Sequence, residues 1–286
     1  MRKIVFLFIL CVTSIVCYGQ GAVGNTDTGN KSCVKIDGWY YNLNSQDKTA
    51  EVTNGARENE QVYISLTSAT IPNVVRYNGN AYRVTGIGNM AFAGCSNLRS
   101  VTLPEGITQI GLYAFAACSS LQSVYIPQSV RMIMPGAFHY CGSVRSLVVD
   151  AANENYCSVD GVLFTKFKGA PSWLLYYPAA KQGTEYIVPD GSLAIMHAAF
   201  ASSQLKKITI PSSVFSISEE AFVDCRQLES LICYAPTPPT CDKNMFGELP
   251  QKVPRIYVPK ESIELYKAAT GWGEQYVYIP MADSRK

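Results

Sequence analysis

Ten cysteines and two histidines are the side chains of this 286-residue sequence best suited to nucleophilic, redox or metal chemistry, and their spacing decides how much of it is available. Cys95, Cys118 and Cys141 stand 23 residues apart, each three residues beyond a phenylalanine, and Cys225 follows Phe222 by the same interval. A thiol that recurs at one phase of a repeat is expected to join a buried column of small apolar side chains, in preference to bridges or metal ligands. Successive coils of a stack lie about 5 Å apart, within disulfide reach, so pairing of neighbours stays open. Cys233 and Cys241, on either side of Tyr-Ala-Pro-Thr-Pro-Pro-Thr, are the candidate disulfide. His139 directly follows Phe138 and His197 precedes Phe200 by three, both at variable positions of one turn, where solvated or locally bonded imidazoles are expected. The sequence contains no His-Glu-x-x-His, Cys-x-x-Cys, phosphate-cradling glycine loop or Gly-x-Ser-x-Gly, so neither a metal nor a cofactor is expected. Two distant carboxylates suffice for a glycosidase. The visible pair, Glu219-Glu220, instead reads as a solvated face on a turn, and the chain is expected to be non-enzymatic.

The elements that position these residues follow from the repeat. Ala-Phe-x-x-Cys-x-x-Leu-x-x-Val-x-(Leu/Ile)-Pro runs from Ala91 to Pro104 and again from Ala114 to Pro127. A fixed period of this length marks a solenoid, whose units contact mainly their neighbours. In phase, the phenylalanines are Phe92, Phe115, Phe138, Phe200, Phe222 and, in an eroded unit, Phe246, with gaps of 23, 23, 62, 22 and 24. The long gap contains one enlarged coil, and the proline column agrees, passing from Pro127 through Asp150 to Pro189. Within a unit, Leu98, Val101 and Leu103 recur as Leu121, Val124 and Ile126. Their closing alternation is the period of a strand with one buried face. Val84-Thr-Gly-Ile87, Ile107-Thr-Gln-Ile110 and Val130-Arg-Met-Ile133 give a second, shorter strand on the opposite side of the coil, and the Ala-Phe-x-x-Cys segment predicts a helical turn between the two.

Residues 1–19 have the pattern of an export signal, Arg2 and Lys3 followed by the apolar run Ile4 to Leu10. The run is too short, with too polar a flank, for a membrane span. Cys17 lacks the small preceding residue of a lipoprotein site, so lipid anchoring is the lesser expectation. Loss of Arg2 and Lys3 leaves 22 basic residues against 22 acidic ones. A neutral chain argues against nucleic acid and against a polybasic membrane role. Residues 20–32 are expected as a flexible leader, 33–83 as an N-terminal β cap, 84–235 as the solenoid with its enlarged coil at about 151–186, and 236–286 as a degenerate repeat and C-terminal strand-helix cap.

The motif Ile-Gly-x-x-Ala-Phe-x-x-Cys-x-x-Leu-x-x-Val-x-Ile-Pro, at Ile87 to Pro104 and Ile110 to Pro127, resembles the BspA-type leucine-rich repeat of bacterial surface and secreted proteins. Tyr156-Cys-Ser-Val-Asp-Gly-Val-Leu-Phe164 with Leu175-Tyr-Tyr-Pro-Ala179 resembles the enlarged coil that interrupts such arrays. The departures are Asp150 in place of proline, Ser203 in place of cysteine and the eroded unit at Phe246. The resemblance covers about residues 33–280 and implies a β-rich α/β solenoid, a right-handed leucine-rich-repeat superhelix with two short strands and a helical turn per coil. It also implies binding, adhesion or host contact without catalysis.

Two surfaces are candidates for that binding. Side chains flanking the central apolar residue of each long strand point outward, which selects Ser100 and Thr102, Ser123 and Tyr125, Ser146 and Val148, Lys207 and Thr209, and Ser230 and Ile232, rimmed by Arg99, Gln122, Arg145 and Lys206. Apolar side chains in a polar rim are the composition of a protein-contact surface. The enlarged coil is the second, where Trp173 and Tyr176 are the aromatics chosen for stacking on a sugar or anchoring a protein. An extracellular or host protein is the expected partner, a glycan the alternative, and a spacer without ligand the third reading, for a chain expected to be monomeric.

Overall fold

The structure, a computed structural model, describes residues 32–55, 62–241, 244–247 and 254–281. The expected export signal, and the leader up to residue 31, lie outside the described residues.

The chain opens with an antiparallel meander of β1 (Ser32–Ile36), β2 (Trp39–Asn44) and β3 (Thr49–Thr53), followed by β4 (Ser68–Thr70). β5 (Val74–Tyr77) and β6 (Asn80–Ile87) form a hairpin through Asn78-Gly79, both residues left-handed as a two-residue turn of this kind requires. Each coil then supplies one long and one two-residue strand: β7 (Ser100–Thr102), β8 (Gln109–Ile110), β9 (Ser123–Ile126), β10 (Met132–Ile133) and β11 (Ser146–Val149). Long strands stack in parallel as β4-β7-β9-β11 and short ones as β3-β6-β8-β10. The pleat sets the faces, since in β9 Val124 and Ile126 are buried while Ser123 and Tyr125 are exposed.

The enlarged coil is an antiparallel sheet of β12 (Tyr156–Val159), β13 (Val162–Phe167) and β14 (Ala170–Tyr176). Beyond it come β15 (Glu185–Ile187), β16 (Ala194–Ile195), β17 (Lys207–Ile210), β18 (Ser216–Ile217), β19 (Ser230–Cys233), β20 (Arg255–Val258), the helix α1 (Ile263–Ala268) and β21 (Val277–Pro280). The order β14-β16-β18 continues the short-strand side, while β15-β17-β19-β20-β21 forms a new long-strand sheet.

The expected helical turn is corrected by the structure. The residues two before each phenylalanine (Met90, Tyr113, Gly136, Ala198, Glu220) and two after it (Gly94, Ala117, Tyr140, Ser202, Asp224) all have positive φ, so the segment is a pair of tight turns. In a helix these amides would bond within their own chain segment. Here they point along the stack, Phe92 N–H to the Ala114 carbonyl at 2.8 Å and Gly94 N–H to the Ala116 carbonyl at 2.7 Å. The glycine of the Ile-Gly motif has a different cause, which is room: a Cβ on Gly111 would stand 2.6 Å from the Asn89 nitrogen and the Gly88 carbonyl carbon.

The buried residues form two cores. In the first, Tyr63, Phe92, Phe115 and Phe138 stack ring on ring at 5.2, 5.2 and 5.7 Å, ending on Tyr176 at 6.0 Å. In the second, Tyr177, Phe200, Phe222, Phe246 and Tyr276 do the same at 5.3 to 5.6 Å. Tyr176 and Tyr177 are adjacent in sequence and face opposite ways. The sheet β12-β13-β14 is therefore a wall, sending Tyr156, Leu163 and Tyr176 into the first core and Val162, Phe164, Leu174 and Tyr177 into the second. At the far end Trp272 is fully buried, donating its indole N–H to the Pro239 carbonyl at 2.8 Å.

Candidate binding surface

On the first long-strand sheet the outward positions form three parallel columns. Arg99, Gln122 and Arg145 are exposed and follow one another through backbone bonds, Gln122 N–H to the Arg99 carbonyl at 3.1 Å and Arg145 N–H to that of Gln122 at 2.9 Å. Beside them Ser68, Ser100, Ser123 and Ser146 stand in register, a ladder of hydroxyls across four strands. The third column holds Thr102, Tyr125 and Val148, with Tyr125 directly opposite Val148 and each nearly half exposed, at 47% and 46%. Tyr125 is held in place, because its hydroxyl donates to the Asp150 carboxylate. That bond, with the Ala152 N–H at 2.8 Å, keeps the Asp150 carboxyl below its ordinary range.

The expected set does not form one surface. The Asp160-Gly161 turn between β12 and β13 takes the free edge of β11, Leu147 N–H donating to the Gly161 carbonyl at 2.8 Å and Val149 N–H to the Ser158 hydroxyl at 3.3 Å. Lys207 consequently lies on the second sheet, paired with Glu185 at 3.0 Å. Thr209 is a correction: it is 8% exposed, roofed by the in-register isoleucines Ile187 and Ile232, whose larger side chains rise on either side. Tyr176 is another, at 7% exposed, because its ring closes the first aromatic column and its hydroxyl donates to the Cys141 carbonyl at 3.3 Å. Trp173 is exposed at 45%, yet it sits on β14, opposite Ala194 of β16, within the short-strand sheet and away from Tyr125.

Sequence reasoning selected Thr209 and Ile232 of a row on the second sheet and passed over Ile187, Tyr257 and Ile279. Ile187, Thr209, Ile232, Tyr257 and Ile279 are in register across five strands, and Ile187 is 71% exposed. The signal was available, since Ile187 shares the repeat phase of Thr209 and lies two residues before a proline of the same column.

The thiols are chemically quiet. No disulfide joins the described cysteines; Cys233 and Cys241, the expected bridge, are both buried, with the Tyr266 hydroxyl 3.2 Å from Cys233 Sγ. Cys118, Cys141 and Cys225 donate to the carbonyls of Phe92, Phe115 and Phe200, one coil earlier, at 3.0 to 3.1 Å. Burial pushes Cys95 and Cys141 up to about 12 and Cys225 to about 11, which withholds the reactive thiolate. Among the described residues no three His, Cys, Asp or Glu side chains are gathered to hold a metal, and no helix is long and apolar enough to cross a membrane.

The family model for the BspA type leucine rich repeat region matches six copies, over residues 63–159 and 182–269. The gap between the two stretches falls on the wall. Among solved structures, a leucine-rich repeat protein from Eubacterium ventriosum ATCC 27560 is 18% identical with a TM-score of 0.45, the match covering 86% of this chain and 83% of that one. The T. pallidum Leucine Rich Repeat protein is 20% identical with a TM-score of 0.40, covering 85% and 100%. A leucine rich cell surface protein from Faecalibacterium prausnitzii A2-165 is 19% identical with a TM-score of 0.39, covering 91% and 97%. A comparison with curated proteins finds no match. With six repeats matched over more than half its length, the chain belongs to the BspA-type leucine-rich-repeat family.

Proposed function

We propose that this protein is an exported, non-catalytic repeat scaffold that binds an extracellular or host protein through its long-strand face, as an adhesin or host-contact factor. The observation that carries this reading is the in-register pair of exposed apolar side chains Tyr125 and Val148 on the first long-strand sheet, with Ile187 exposed separately on the second. Such side chains have little entropy left to lose on contact, and a buried aromatic with a polar rim is the usual anchor of a protein interface. Arg99, Gln122 and Arg145 form that rim. The signal-like residues 1–19 support export to the surface or medium, and the neutral charge that follows their removal supports a partner other than nucleic acid. In this reading the terminal strands and α1 serve as caps, and the chain acts as a monomer.

The test is a binding screen of residues 20–286 against extracellular-matrix proteins and a glycan array, with Tyr125→Ala and Trp173→Ala made separately. Protein binding lost in Tyr125→Ala supports the proposal. The exposed indole of Trp173 favours a second reading, a glycan module, and glycan-only binding lost in Trp173→Ala would establish it. Binding to neither leaves the spacer reading.

A further inference from the structure

His139 and His197, the only histidines of the sequence, lie on opposite sides of the wall and yet meet edge to face, ring centroids 5.7 Å apart. His139 belongs to the last turn of the first repeat block and His197 to the first turn of the second. Turn-to-turn backbone bonds connect Phe92 to Ala114 and Phe115 to Ala137, and beyond the wall Tyr177 to Ala199 and Phe200 to Ala221. The imidazole pair stands at the joint between those two series.

His139 is 6% exposed, and its Nε2 is buried without a hydrogen-bond partner among the described residues. Tyr140 stacks on its ring at 4.5 Å and Tyr113 lies nearly parallel at 6.0 Å. Across the joint, His197 Nδ1 is 3.0 Å from the Glu219 carbonyl; a carbonyl only accepts, so Nδ1 carries a proton. His197 Nε2 then faces the Glu220 carboxylate at 3.9 Å. The rings that contact His139 among the described residues are two phenols and a second imidazole, none of which is negatively charged at neutral pH.

We propose that the His139–His197 contact is an acid-sensitive latch between the two repeat blocks, closed at neutral pH and released when His139 takes up a proton. Burial, reinforced by repulsion from His197, holds His139 down to about 4 against 6.5 for an open imidazole. Between those two values the open form accepts a proton that the closed form refuses. The stabilisation of the closed form is therefore fully present above pH 6.5 and is lost as pH falls toward 4, the open-to-closed ratio changing by up to about tenfold per pH unit.

The experiment follows the imidazole resonances of the untagged chain by NMR, together with amide exchange at Phe138, Tyr177 and Phe200, from pH 7.5 to 4. With two histidines in the sequence, His197→Gln assigns both signals. The expected result is one imidazole that stays neutral to well below pH 6, and protection at the joint that falls about tenfold or more between pH 7 and 5 after correction for intrinsic exchange. His139→Phe keeps the stacked ring, removes the titration and is expected to abolish that loss. Both imidazoles titrating between 6 and 7, or an unchanged loss of protection in His139→Phe, would overturn the proposal. Should His139→Phe fail to fold, the titration of the unaltered chain still decides.

Discussion

At the scale of single residues, the column of thiols packs and hydrogen-bonds one coil against the next. Six of the eight described cysteines are buried, and the three in mid-column stitch successive coils by donating to a phenylalanine carbonyl. A thiol-specific reagent applied to the native protein is expected to label Cys33 and Cys157, which are partly exposed, and to reach the column only in denaturant. Raising the pH to 9 should not change that pattern, because burial keeps the column thiols protonated; mass spectrometry of labelled peptides reads it directly. Tyr125 makes a second case. Tyr125→Phe removes the hydroxyl that stabilises ionised Asp150, so the Asp150 carboxyl is expected to titrate at higher pH, as followed by NMR, while the fold is retained. The sequence showed which residues point outward, but not how tall their neighbours are. Thr209 was chosen by its parity in the strand, and the isoleucines on either side bury it.

At the scale of the element, the strands were legible because alternation and the proline column repeat many times, whereas the turn was not. A short segment with Ala, Phe and Cys looks helical by composition. What prevents the helix is the left-handed backbone at positions filled by Met90, Tyr113, Ala117 and Ser202, residue types that give no advance notice of positive φ. Left-handed backbone costs a residue with a Cβ about 1–2 kcal/mol, part of which returns as the extra entropy of an unfolded glycine. Ala117→Gly is accordingly expected to raise stability, by about 0.5–1 kcal/mol in urea denaturation. Gly111→Ala should act in the opposite direction. Its Cβ would press on backbone atoms of the preceding coil at 2.6 Å, and a loss of about 2–3 kcal/mol is expected from the forced displacement.

At the scale of the whole molecule, the enlarged coil divides one repeat array into two cores. Its length was plain from the 62-residue gap between phenylalanines, but a segment that occurs once carries no internal period from which to read its pairing. Adjacent residues of β13 now make a sharp prediction. Leu163→Ala opens a cavity in the first core and Phe164→Ala one in the second. Each should cost about 2–5 kcal/mol, and hydrogen exchange should show the loss of protection centred on residues before the wall in one variant and beyond it in the other. A single cooperative core would spread both losses evenly. The Asp160-Gly161 turn has a consequence of another kind. By taking the edge of β11, it leaves the outward face as two plates, four and five strands wide, each about 15–20 Å across. Under the proposed function, a ligand touching one plate would be held by a small footprint and would leave quickly. One carrying two epitopes at the matching separation would engage the second plate at high effective concentration, and its residence time would multiply without any new kind of contact. Under the proposed function, the interruption would make the outward face bivalent and favour partners that are themselves repetitive.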